Sequence, residues 1–227
     1  MQRPLLQLAL DTFDLPSALA PMQHAREHVD VVEAGTILCL AEGMHAVRAL
    51  RALYPDKLLL ADVRIAEAGS IIAKLAFEAG ADIVSVVSGA TPETIEVVLR
   101  EADRHEGQVQ LELIDGWTWE QVPQWRSMGI EQVITHRSRD GEALGSLGWK
   151  RGDFDAMRAL ADAGFKVIVA GGVEIADLPL FTGVPIHIFT VGRAIRNAAD
   201  PAAAARAFQD AISEVYADAR MATEAPA

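Results

Sequence analysis

The stretch LLLADVRIAEAG, residues 58–69, begins with apolar side chains on consecutive positions and then sets Asp62, Arg64 and Glu67 close together. A strand with one wet face alternates apolar and polar residues. A run that is apolar on every position belongs instead to a strand buried on both faces, as in a parallel sheet covered by helices. The acids and the guanidinium then mark where that strand leaves the interior.

Other runs share this character: QLALD at 7–11, VDVVEAG at 29–35, DIVSVV at 82–87, QVQLEL at 108–113, EQVITH at 131–136, KVIVAGG at 166–172 and PIHIFTVGR at 185–193. Each is followed by a segment with helical spacing. Thr91 before Pro92 and Asp200 before Pro201 offer an N-cap with proline at the first helical position. Thr118 with Gln121 fits a capping box, and Gly80, Gly129 and Gly164 stand where helices stop. Eight strand–helix units in 227 residues predict an α/β fold, a single-domain (β/α)8 TIM barrel over residues 1–220, with MATEAPA at 221–227 as a disordered C-terminal tail. A doubly wound open sheet is the alternative, with fewer strands and a ligand crevice at a switch point.

The chain carries 20 lysines and arginines against 32 acids, a net charge of −12. That balance excludes a general nucleic-acid surface and points to a small ligand, any anion being bound locally. The single cysteine, Cys39 in TILCL, excludes an internal disulfide framework and reads as a spectator thiol in a reducing compartment. No apolar run reaches the ~20 residues that span a bilayer, and the opening MQRPLLQLALD meets an acid too early for a signal peptide. The expectation is a cytoplasmic protein without a membrane partner.

In such a barrel the C-terminal ends of the strands converge on one mouth. Those ends read Asp11, Glu33, Asp62, Glu112 and His136 for strands 1, 2, 3, 5 and 6, with Arg139 just beyond the last. Several carboxylates facing one cavity repel unless they are protonated, paired with cations or bound to a metal. A hard divalent cation such as Mg2+ suits them, with Glu33 and Asp62 as its ligands. The other reading pairs the acids with Arg64, Arg139 and Lys74 in a structural network. Gly171-Gly172 after strand 7 and Gly192-Arg193 after strand 8 fit a phosphate held by backbone N–H groups and a guanidinium. His136 can move a proton near neutral pH. Trp117, Trp119 and Trp125 read as packing around the fifth helix.

Together ALD at 9–11, VEAGTILC at 32–39, LLADVRIAEAG at 59–69, WTWEQVPQWR at 117–126, THRSRD at 135–140, AGGV at 170–173 and VGRAIRNAADP at 191–201 resemble the 3-keto-L-gulonate 6-phosphate decarboxylases of the orotidine 5′-monophosphate decarboxylase superfamily. The resemblance implies a Mg2+-dependent homodimer of L-ascorbate catabolism that removes CO2 from a β-keto acid sugar phosphate, giving L-xylulose 5-phosphate through an enediolate. It implies Glu33 and Asp62 near the metal and Asp11 and Glu112 in the substrate site. His136 and Arg139 would serve protonation, and Gly171, Gly172, Gly192 and Arg193 the phosphate.

At one place the chain departs from that pattern. The superfamily signature Asp-x-Lys-x-x-Asp reads here Asp62-Val63-Arg64-Ile65-Ala66-Glu67. Arginine keeps the charge but is a poor proton donor and has a broad planar fork. The family's second acid comes from the neighbouring subunit, so the resemblance gives Glu67 a role in a site shared across a dimer. The competing functions are a hexulose-6-phosphate synthase-like aldolase, a pentulose-phosphate isomerase or epimerase, and a non-catalytic phosphosugar-binding barrel.

Overall fold

The structure, a computed structural model, describes residues 3–138, 141, 144–145 and 148–224, with 218–224 as backbone alone. Every expected strand forms: β1 Leu5–Leu10, β2 Val31–Ala34, β3 Leu58–Ile65, β4 Ile83–Val87, β5 Gln108–Leu113, β6 Gln132–His136, β7 Lys166–Ala170 and β8 Ile186–Val191. All pair in parallel with their sequence neighbours. The ring closes where Leu5 to Leu8 of β1 align with Ile188 to Val191 of β8. The open-sheet alternative is thereby excluded, and closure leaves no edge strand to protect.

Strand side chains point alternately inward and outward, so one strand serves two cores. Val31, Ile134, Ile168, Ala170 and Ile188 pack inside the barrel with Leu5 against them. The outward positions meet the helices in a far larger cluster. Both faces are dry, hence the runs of consecutive apolar residues. Three inward glutamines, Gln7, Gln110 and Gln132, are buried too, and the Gln110 amide donates to the Gln132 carbonyl at 3.0 Å.

The helix starts follow their sequence signals. Thr91 Oγ1 accepts from the Thr94 N–H at 3.2 Å, Asp200 accepts from the Ala203 N–H at 3.0 Å, and Thr118 with Gln121 forms the capping box. At the other end of the chain the expectation needs correcting. The last helix runs Pro201–Glu224 and so continues into the stretch read as a tail, because no glycine or proline stops it before Pro226. No helix among the described residues is long and apolar enough to cross a membrane.

A second correction concerns β3, which does not end at Asp62 but continues to Ile65 through an irregularity. Its register against β4 shifts between Ala61 and Ile65, and Arg64 adopts φ 46°. The Arg64 N–H donates to Ser85 Oγ of β4 at 2.8 Å instead of to a ladder carbonyl. Bulges of this kind re-aim side chains beside active sites.

Candidate active site

A cavity of about 300 Å³ opens at the C-terminal end of the barrel. Its walls include Asp11, Glu33, Asp62, Arg64, Glu112 and His136, together with Gly171, Gly172, Gly192 and Arg193. The strand-end residues therefore converge as the parallel topology requires. Of the remaining expected site residues, Glu67 is exposed and lies outside the cavity walls, and Arg139 lies outside the described residues.

Glu33 is buried on β2 and accepts from Gln7 Nε2 of β1 at 2.6 Å. Burial, reinforced by the nearby charges of Asp62 and Asp11, pushes its carboxyl well above the ordinary range, while the Gln7 amide pulls the other way. Asp62 is gripped by two hydroxyls, Thr36 Oγ1 at 2.6 Å and Ser85 Oγ at 2.7 Å. Gly35 stands beside them, and a Cβ there would push the Asp11 carboxylate from its place, its Oδ1 being 2.3 Å away. The Arg196 guanidinium donates to the Asp11 carbonyl and ties the short helix Arg193–Arg196 to the end of β1.

Arg64 and Glu112 form an ion pair in the site, with Nε and Oε2 2.8 Å apart. The Glu112 side chain is 6% exposed and that of Arg64 42%, so a buried acid is reached by a cation from the mouth. Burial, with Asp62 adding to it, lifts Glu112 to about 7 although Arg64 holds it down. Lys74 takes no part in a network with these acids; it pairs with Glu78 on its own helix surface.

The residues present fit a divalent ion. The partners of Glu33 and Asp62 are neutral amide and hydroxyl groups, so their charge is left uncompensated by the described side chains. The donors are all oxygen, which suits Mg2+ over softer ions. Among the described residues no group of three or more His, Cys, Asp or Glu could hold an ion unaided. Two carboxylates with further oxygens from substrate and water is the arrangement Mg2+ commonly takes.

Across the cavity Gly171 and Gly172 have φ of 94° and 63°, and a Cβ on Gly171 would meet the Arg137 carbonyl oxygen at 2.3 Å. Only glycine satisfies both constraints at Gly171. The turn brings backbone close to whatever the cavity holds, with Arg193 of the next loop on the same wall.

An acidic pocket facing a glycine-and-arginine wall at a barrel mouth agrees with what the whole chain matches. Residues 4–208 fit the model of the orotidine 5′-phosphate decarboxylase / HUMPS family. The chain belongs to that family. It is 50% identical over 216 residues to the 3-keto-L-gulonate-6-phosphate decarboxylase UlaD of Escherichia coli, covering 95% of this chain and 100% of the relative. Among solved structures it is similar to a crystal structure of KGPDC from Streptococcus mutans, with 38% identity and a TM-score of 0.92 over 95% of this chain and 100% of that one. It is also similar to 3-hexulose-6-phosphate synthase from Salmonella typhimurium, with 31% identity and a TM-score of 0.86 over 93% and 99%.

Several residues of this family member's site are absent from the sequence reading. Thr36, Ser85 and Gln7 hold the acids, Thr190 lines the cavity, and Arg137 grips the glycine turn. Ser85 had a signal, a lone hydroxyl at an inward position of the apolar run DIVSVV. Cys39, read as a spectator thiol, is half-buried: its thiol donates to the Ala34 carbonyl, and burial first, then Asp62, pushes it up to about 12. Trp117 packs edge-on against Trp119 at 4.9 Å and tilted against Trp125 at 6.3 Å.

Proposed function

We propose that this chain is a Mg2+-dependent decarboxylase of a β-keto acid sugar phosphate, converting 3-keto-L-gulonate 6-phosphate to L-xylulose 5-phosphate and CO2. The observation that carries the reading is the single cavity in which Glu33, Asp62, Arg64 and Glu112 face Gly171, Gly172, Gly192 and Arg193. The relatives' names supply the substrate.

In this reading Glu33 and Asp62 hold the ion, which supplies Lewis-acid stabilisation of the oxygen where negative charge develops. The chain's own residues do the rest. Gly171, Gly172 and Gly192 offer backbone N–H groups to the phosphate, and Arg193 adds a bidentate partner. Anchoring that end fixes the carboxylate-bearing carbon against the acid wall, so binding energy is used for orientation. Arg64 balances the charge left when CO2 departs, and Glu112 fixes the guanidinium from below. His136, with Arg139, holds the water that protonates the product carbon.

Release of CO2 from 3-keto-L-gulonate 6-phosphate, dependent on added Mg2+, is the expected result. No release with or without the ion would sink the assignment. The similarity to 3-hexulose-6-phosphate synthase favours one second reading, an aldolase joining formaldehyde to a pentulose phosphate. Condensation in the absence of decarboxylation would select it.

The working unit in this proposal is a homodimer with shared sites. Phe13, Leu40 and Ile71 are 84%, 80% and 64% exposed, and follow β1, β2 and β3 in turn. Large apolar side chains so close to an active-site mouth mark an association surface. Glu67, exposed in the chain alone, stands between β3 and the helix that carries Ile71. Sedimentation should give twice the 24.4 kDa chain mass; the monomer mass at micromolar concentration would refute the dimer.

A further inference from the structure

We infer that Arg137 is a positioning residue for phosphate binding: its guanidinium fixes the turn at Gly171 and Gly172 so that the amide N–H groups of Gly172 and Val173 face the cavity. The inference rests on the phosphate site proposed above and names what builds it. Arg137 follows β6 directly, in the segment that the sequence marks only for His136 and Arg139.

Three kinds of contact converge on this residue. Arg137 Nε donates to the Gly171 carbonyl at 3.0 Å and Nη2 to the Gly172 carbonyl at 2.7 Å. The Arg137 backbone N–H donates to the Ala170 carbonyl at 3.1 Å, so the main chain follows the same wall as the fork. The guanidinium carbon lies 5.0 Å from the centre of the Trp149 ring, whose other contacts include Phe181 at 5.2 Å. A fork stacked on a packed indole has little freedom to leave its acceptors.

The consequence follows from peptide geometry. A trans peptide sets its N–H opposite its C=O, and no peptide bond among the described residues is cis. Turning the Gly171 and Gly172 carbonyls toward Arg137 therefore turns the N–H groups of Gly172 and Val173 away from it. Both residues line the cavity, and among the described residues neither amide donates to a protein acceptor. Successive N–H groups presented by left-handed backbone form a concave anion site. The positive φ of both glycines makes that conformation accessible, but two glycines alone would also populate other conformations. Arg137 selects one. A lysine retains the charge but presents one ammonium where the turn needs two separated donors.

The test is calorimetric titration of the full-length chain with inorganic phosphate and, separately, with Mg2+, in the wild type and in Arg137→Lys and Arg137→Met. Phosphate Kd should rise roughly 10-fold in both variants, the scale of losing a supporting contact. Mg2+ Kd should stay within about twofold, because its ligands lie on the opposite wall. With the sugar phosphate as substrate, KM should rise more than kcat falls. Unchanged phosphate affinity in the variants would overturn the role of Arg137 while leaving the phosphate site standing. Parallel weakening of both ligands with a lowered Tm would make Arg137 merely structural, which also overturns it. A wild type that takes up no phosphate would remove both the site and this inference.

Discussion

At the scale of single residues, the site separates two carboxylates that a sequence treats alike. Asp62 is held by two hydroxyls and Glu112 by a guanidinium, and their substitution should fail in different ways. Asp62→Asn keeps the volume and one acceptor oxygen, so the fold and melting temperature should survive. Metal affinity measured by titration should fall by about 100-fold or more, and Mg2+-dependent turnover with it; an unchanged Mg2+ requirement would contradict Asp62 as a ligand. Arg64→Ala instead leaves Glu112 without its cation. Because Glu112 titrates near 7, that loss should be small in acid and grow as pH rises through neutrality, to about 1–2 kcal/mol after allowing for the exposure of Arg64. Denaturant titrations of both proteins at pH 5 and pH 8 would check it, and an equal difference at the two values would contradict the pairing.

At the scale of elements, the strands are readable because burial on both faces leaves a continuous apolar run, and the mouth residues because parallel strands deliver all their C-terminal ends to one side, although β3 runs three residues past Asp62. Asp11, Glu33, Asp62, Glu112 and His136 could be named on that ground alone, and so could the two glycine loops. What holds these residues was not readable. Gln7 meets Glu33, and Ser85 meets Asp62, through the lateral register of neighbouring strands, which no spacing along the chain encodes. The Arg64 kink is similarly hidden, since a bulge comes from competition between a ladder carbonyl and the Ser85 hydroxyl. Arg137 carries no mark along the chain, because its acceptors are backbone carbonyls more than thirty residues away. The glycine turn yields the prediction proper to this scale. Gly171→Ala forces a Cβ into the Arg137 carbonyl at φ 94°, and should reduce stability by about 1–3 kcal/mol. Displacing the turn should also lower kcat/KM by roughly 100-fold, mainly through KM. Full activity in this variant would show that the turn does not touch the substrate.

At the scale of the whole molecule, the barrel concentrates acids in one place and leaves apolar side chains beside it. If the exposed Phe13 and Leu40 are covered by a second chain, the pair Phe13→Asp and Leu40→Asp should yield a folded monomer of 24.4 kDa with little turnover, by sedimentation and assay. Persistence of the dimer would move the interface elsewhere. The acid cluster has a global consequence of its own. Glu33 is raised well above 4.5 and Glu112 to about 7, so the folded protein keeps protons that the unfolded chain has already released. Stability then falls with rising pH wherever the native state binds more protons than the unfolded one. For Glu112 this contribution is complete below pH 4.5 and is lost as pH passes about 7. A divalent ion held by Glu33 and Asp62, as proposed, would act in the opposite sense, because it would bind the deprotonated native state and stabilise it by about 2.7 kcal/mol at a hundred times Kd. The metal-free protein should therefore melt at lower temperature at pH 8 than at pH 5. Mg2+ should raise the melting temperature more at pH 8 than at pH 5, because protons compete less for Glu33 as pH rises. A melting temperature insensitive to Mg2+ at pH 8 would mean that the carboxylates stand together for some purpose other than holding an ion.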